Sequence, residues 1–296
     1  MNYGVRIMNY FVSLQSKSQY YTYFCHKMLT FLSFGSGSCG NSYYLSNGEG
    51  AILIDAGIGI RRMKRNMKEY GLSFADIRGI IITHDHADHI KAAGQISTEY
   101  NIPVYATQLI HKGINANYHA SKPVEADKAH IIQEDVEFEL AGFHITPFAL
   151  PHDSLENMGY SIRRGDETFT IMTDVGMPTD TMKAYIAKSN YLVLEANYDV
   201  EMLRSGKYPK ILQDRIMSGT GHLSNHQAAQ VLAECLHPDL RYVWLCHLSE
   251  ENNHPELARK TVEMHLRSFG IIAGKDFQLE ILRRLIPTGP YIIHNA

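Results

Sequence analysis

Between Thr83 and His89 the chain reads Thr-His-Asp-His-Ala-Asp-His, three imidazoles and two carboxylates within seven residues. Neutral imidazole and carboxylate are the usual ligands of zinc, manganese and iron(II), and four or five of them so close favour two ions over one. His84 and His86 can converge from an extended or turning backbone, while Asp88 and His89 can open a following helix and address a second centre. Asp85 falls between the ligands and does not reach the same ion as both histidines, which makes it the candidate general base acting on metal-activated water. A surface histidine cluster or a set of turn residues would have the same composition. Its density at the end of a buried strand favours a site.

The strand that must deliver the cluster is Ile80–Thr83, within Gly79-Ile80-Ile81-Ile82-Thr83, whose β-branched apolar character predicts burial on both faces. Before it, strands are expected over Leu29–Phe34, Ser42–Ser46 and Ala51–Ile54, the first two joined by the glycine-rich turn Gly35–Asn41, with a basic helix over Ile60–Tyr70 and a short segment Ser73–Ile77. After it, a helix over Lys91–Tyr100 and a strand over Val104–Ala106 are expected. The second half continues with strands Val136–Leu140, Phe143–Phe148, Tyr160–Arg164, Phe169–Met172, Tyr191–Glu195 and Tyr242–Cys246, and a helix His226–Leu236. Short strands with interspersed helices predict an α+β sandwich of two mixed sheets packed face to face, helices outside, with sites along the edge where strand ends meet. Three of those strand ends carry further ligand chemistry: His152 after Phe148-Ala149-Leu150-Pro151, Asp174 after Met172-Thr173, and His247 after Leu245-Cys246. One such residue alone would read as a hydrogen-bonded turn residue; together with the first cluster they complete a site.

The 296 residues are 45% hydrophobic and carry a net charge of −3, which argues against a general nucleic-acid coat but leaves room for a local basic groove. Cys25, Cys39, Cys235 and Cys246 form no CxxC pair and read as reduced thiols of a cytoplasmic protein; none is assigned to a metal. No apolar run approaches the roughly 18 residues of a membrane span. Residues 1–27 lack the apolar core and cleavage site of a signal peptide and read as an extension, with Met28 as the expected natural start. No Pro/Gly/Ser linker follows, so residues 28–296 are expected to form one domain. Oligomeric state is left open.

Asp55, the His84–His89 motif, His152, Asp174 and His247 occur in the order and context of the five motifs of the metallo-β-lactamase superfamily, which the chain resembles from Met28 to about His254. The resemblance implies an αββα sandwich with a dinuclear metal centre between the sheets. His84, His86 and His152 would hold one ion, Asp88, His89 and His247 the other, and Asp174 would bridge them. Asp55 would orient ligands by hydrogen bonds. Members with a redox di-iron centre usually replace a ligand histidine with an acid, and this chain does not, so hydrolysis with two zinc or manganese ions is implied.

Two further segments resemble the proton-relay motifs of the ribonuclease Z branch. One is Val193-Leu194-Glu195-Ala196-Asn197, with Leu194 and Asn197 in place of that branch's His and Thr; the other is Gly221-His222-Leu223-Ser224-Asn225. Glu195 and His222 would then protonate the leaving oxygen of a phosphodiester, a role that suits a carboxylate-oriented imidazole near neutral pH. A strand-end Glu and a helix-flanking His would have the same local sequence. The linked segments around Asn197, His222 and His247 look most like the YycJ/WalJ group, a bacterial branch proposed to act as DNA exonucleases. Between them, Arg204, Lys207, Lys210 and Arg215 offer four cations to one acid, suited to a phosphate backbone or equally to a solvated helix face. The expected activity is metal-dependent phosphodiester hydrolysis on nucleic acid, DNA in preference to RNA. The five motifs equally permit a hydrolase of small esters, thioesters or lactams; a non-catalytic nucleic-acid-binding or scaffold protein would leave the complete ligand set unexplained.

Overall fold

The computed structural model describes residues 28–294; the expected extension over residues 1–27 lies outside them. The first sheet contains β1 (Met28–Gly35), β2 (Ser42–Ser46), β3 (Ala51–Ile54), β4 (Ile77–Ile81), β5 (Val104–Ala106) and β6 (Ala129–Ile131). The second contains β7 (Phe138–Leu140), β8 (Phe143–Ala149), β9 (Met158–Arg164), β10 (Glu167–Met172), β11 (Tyr191–Glu195), β12 (Tyr242–Cys246) and β13 (Gln278–Ile281). A last strand, β14 (Thr288–His294), returns to pair antiparallel with β1, so the sheet orders are β14-β1-β2-β3-β4-β5-β6 and β13-β12-β11-β10-β9-β8-β7. Each sheet is half antiparallel and half parallel, the parallel part being β3 to β6 in one and β10 to β13 in the other. These are the mixed sheets expected from the sequence.

Alternation along the strands explains the layering. In β11 and β12, Tyr191, Val193, Tyr242, Trp244 and Cys246 point into the core between the sheets, where Trp244 and Phe169 meet Phe31 of β1 with ring centroids 4.8 and 5.0 Å apart. Their neighbours Leu192, Leu194, Val243 and Leu245 face outward. Because both faces are apolar, helices must cover the outside. On the second sheet these are α5 (Asp180–Ile186), α8 (Asn225–Cys235) and α9 (Pro255–Ser268). On the first they are α1 (Ile60–Glu69), α3 (Ala93–Tyr100) and α4 (Gln108–Ala116), through Met63, Met67, Ile96, Ile110 and Ile114. Each fully buried aromatic or aliphatic side chain of this kind contributes about 1.5–3 kcal/mol.

Several element bounds differ from expectation, and the reasons bear on the site. The strand expected over Ile80–Thr83 is β4, Ile77–Ile81, because the Thr83 amide leaves the ladder and donates to the Asp55 carboxylate at 2.8 Å. The helix expected over Lys91–Tyr100 is α3, starting at Ala93, and Asp88 and His89 open a separate short helix before it, α2 (Ala87–Ile90). The strand expected from Val136 begins at Phe138, since Val136 closes a turn onto the Gln133 carbonyl beside Asp135, whose φ is 55°. Two short helices, α6 (Val200–Ser205) and α7 (Lys210–Ile216), carry the basic segment. No helix among the described residues is long and apolar enough to cross a membrane.

Candidate metal centre

The C-terminal ends of β3, β4, β8, β10, β11 and β12 emerge at one edge of the sandwich and deliver Asp55, His84, His152, Asp174, Glu195 and His247. Asp55, Asp174 and His247 follow their strands with φ of 58°, 55° and 55°. A left-handed backbone at three non-glycine residues is uncommon, and here it turns each side chain from the strand direction into the shared edge.

Asp55 organises the first part. Its carboxylate accepts from the Thr83 amide at 2.8 Å and the Thr83 hydroxyl at 2.9 Å, and its Oδ2 lies 2.7 Å from His89 Nδ1. With that nitrogen donating, the His89 Nε2 lone pair is turned toward Asp174 Oδ2 at 3.2 Å and Asp88 Oδ2 at 3.5 Å. Burial would depress the His89 pKa, but Asp174, Asp55 and Asp88 together raise it well above the ordinary imidazole value. A pocket so attractive to positive charge suits a divalent cation.

The donors fall into overlapping groups. His84, His86 and His152 form one, with His86 Nδ1 3.2 Å from His152 Nε2. His152 donates from Nδ1 to the Gly221 carbonyl at 2.9 Å, which frees Nε2. His84 Nε2 is buried with no hydrogen-bond partner, an orphaned lone pair that a metal would satisfy. Burial, then the neighbouring His89, hold the His84 pKa well below its usual value, so the ring is in its neutral, ligating form. Asp88, His89 and His247 form a second group, with His247 Nε2 3.4 Å from Asp88 Oδ2. Asp174 stands between: Oδ2 faces His89, while Oδ1 lies 3.8 Å from His152 Nε2 and 3.5 Å from His247 Nε2. This donor set fits two divalent ions sharing one carboxylate.

Beside these donors the buried Glu195 pairs with the partly exposed His222. Glu195 Oε1 is 2.8 Å from His222 Nδ1 and 3.1 Å from His247 Nδ1, while its Oε2 accepts from the Val175 and Leu223 amides at 2.8 and 3.0 Å. Burial would raise the Glu195 pKa, yet His222 and the hydrogen bonds pull it below its ordinary value. The His222 ring sits between His152 and His247, with centroids 5.1 and 5.3 Å away. The capping box of α8, Ser224 with Gln227, fixes the chain two residues downstream.

Asp85 is not brought into the cluster. Its Oδ1 accepts from the Leu155 amide at 3.3 Å, and the rest of its carboxylate packs on Gly113 of α4, where a β-carbon would lie 2.3 Å from Oδ2. In the turning backbone its side chain diverges from those of His84 and His86, toward the Leu155 amide and α4. The basic segment is divided: Arg215 pairs with Asp153 at 2.5 Å and Lys210 with Asp214 at 2.9 Å, whereas Arg204 and Lys207 are exposed without an acidic partner among the described residues.

Three asparagines at the site were given no role from the sequence. Asn41 Nδ2 lies 2.8 Å from His89 Nε2 and 3.2 Å from Asp88 Oδ2, its Oδ1 being held by the Gly37 amide at 2.7 Å. Asn197 donates to the His247 carbonyl at 2.8 Å, and Asn157 to the Asp174 carbonyl at 2.6 Å. Asn41 closes the glycine-rich turn and Asn197 replaces the relay motif's threonine, which were signals; Asn157 had none.

A two-layer mixed sandwich with this His/Asp edge defines a hydrolase of the metallo-β-lactamase type. The chain belongs to that superfamily: residues 51–247 match the Beta-lactamase superfamily domain. It is 34% identical over 260 residues to Exodeoxyribonuclease YycJ of Bacillus anthracis, covering 88% of this chain and 97% of that protein. To Exodeoxyribonuclease WalJ of Streptococcus pneumoniae it is 32% identical over 244 residues, 82% of this chain and 90% of the relative. The crystal structure of the metallo-beta-lactamase fold protein YhfI from Bacillus subtilis superposes with a TM-score of 0.65 at 16% identity, over 88% of this chain and 99% of that one, a likeness of fold.

Proposed function

We propose that this chain is a dinuclear metal-dependent phosphodiesterase that acts as an exonuclease on nucleic acid, DNA in preference to RNA. The observation that carries the reading is the Glu195–His222 pair, 2.8 Å apart, set against the two ligand groups. Thioesters and activated esters lose weakly basic groups, but a phosphodiester of a sugar loses a strongly basic alkoxide, which needs a positioned acid. The kinship to exodeoxyribonucleases supports the same substrate.

Two divalent ions, zinc or manganese, held by His84, His86 and His152 on one side and Asp88, His89 and His247 on the other, with Asp174 shared, would activate water and neutralise phosphate charge. His222 donates a proton to the departing oxygen, and Glu195 holds its Nδ1–H and stabilises the imidazolium. Asp55 fixes the His89 ring. Asp85 keeps the His84–His86 segment against α4 rather than serving as a base. Arg204 and Lys207 meet the phosphate backbone away from the reacting bond.

The test is hydrolysis of bis(p-nitrophenyl) phosphate and of end-labelled single- and double-stranded DNA and RNA with Mn²⁺ or Zn²⁺, comparing wild type with His222→Ala. Metal-dependent cleavage of DNA from an end, lost in the variant, is expected. No phosphodiester cleavage by wild type would transfer the reading to a small ester, thioester or lactam.

A further inference from the structure

On segments tied to Asp85, two large apolar side chains are exposed without a packing partner in the core: Tyr118 at 88% and Leu155 at 54%. Isolated exposed apolar residues need no explanation. These two are not independent, because both are held by Asp85, the residue between His84 and His86. The Leu155 amide donates to Asp85 Oδ1 at 3.3 Å, and Asn117 Nδ2 donates to the Asp85 carbonyl at 3.0 Å. Asn117 then accepts at Oδ1 from the His119 amide at 3.0 Å and at its carbonyl from the Ala120 amide at 3.1 Å, and the Ser121 amide closes onto the Lys91 carbonyl at 2.8 Å. The turn that presents Tyr118 is thus fixed, not loose. The Tyr118 ring is backed by His119, with centroids 3.9 Å apart. Around it, residues 101–124 contain Lys112 and Lys122 and no Asp or Glu, so an anionic strand meets no repulsion from this stretch.

We infer that Tyr118, backed by His119 and accompanied by Leu155, is a stacking platform for unpaired nucleobases of the strand being cleaved. The inference rests on the phosphodiesterase reading for which strand arrives there. The segments that carry both side chains are anchored on the residue between two candidate ligands, so a strand with a phosphate at those ligands would run beside them. A flat, exposed ring suits every base alike, as an enzyme that moves along a strand requires. Asp85 acts here as a positioning residue that ties the platform to the metal centre.

The experiment uses the full metal-loaded chain and a short single-stranded deoxyoligonucleotide carrying 2-aminopurine near its end, with binding and fluorescence quenching read together. Tyr118→Ala should weaken binding by about 5- to 100-fold and abolish part of the quenching, Leu155→Ala should do so to a smaller degree, and Tyr118→Trp should retain both. Metal content should stay at its wild-type value in all three, because neither side chain belongs to the ligand groups. Unchanged binding and quenching in Tyr118→Ala, or no strand binding by wild type, would overturn the platform. Failure of wild type to hydrolyse bis(p-nitrophenyl) phosphate would instead count against the phosphodiesterase reading, while quenching would still report on the platform.

Discussion

A β-carbon placed on Gly57 would lie 1.5 Å from the carbonyl oxygen of Asp88. The backbones touch there because the Asp88 carbonyl accepts from the Asn41 amide and the His89 carbonyl from the Ala56 amide, each at 2.7 Å. Nothing but hydrogen fits between the turn after β3 and the ligand-bearing helix start. Gly57→Ala should therefore push Asp88 and His89 outward, destabilising the fold by about 3 kcal/mol or more and lowering metal content. Urea unfolding with metal analysis checks this, and wild-type values in both would show that the contact relaxes freely.

Replacing Asp85 by Asn should leave metal content and bis(p-nitrophenyl) phosphate turnover close to wild type, because its oxygens serve Leu155 and α4. A general base contributes about 10²–10⁴ in rate. A loss of that size with both metals still bound would restore Asp85 as the base.

The His222–Glu195 pair should set the alkaline side of the pH profile. Burial opposes a charged His222, but the Glu195 carboxylate and its hydrogen bond outweigh it and raise the pKa above the ordinary 6.5. The acid form is then fully present at lower pH and is lost as pH climbs through the raised value. Turnover of DNA should fall on that limb, and Glu195→Gln should move the fall to lower pH; metal content must be measured alongside, since Glu195 also holds His247. With a p-nitrophenolate leaving group the limb should fade. An unaltered alkaline limb in His222→Ala would remove the residue from proton transfer.

Within the basic segment Lys210 and Arg215 are already paired, so Arg204 and Lys207 are the two of its four cations left for phosphate. Neutralising both should weaken DNA binding with little sequence dependence and reduce the salt slope by about 0.9 per lost contact on duplex. Titration at several salt concentrations measures it. An unchanged slope would make this face merely solvated.

Sequence by itself determined the strands that converge on the site, since apolar runs such as Ala51–Ile54, Tyr191–Glu195 and Tyr242–Cys246 are local patterns and each ends at a polar residue that has no place in a core. It also marked His84–His89, whose ligands are neighbours along the chain. Tertiary structure decided what depends on facing across elements. The direction of Asp85 follows from Gly113 on α4 and the Leu155 amide, both distant in sequence. Asn41 reaches His89 only because the first turn folds onto the start of α2, and β14 completes the first sheet by pairing with a strand some 260 residues earlier, Met28 opposite His294. Periodicity records which face of an element is buried. It does not record which neighbour that face meets, because the choice is made by packing among segments far apart in the chain.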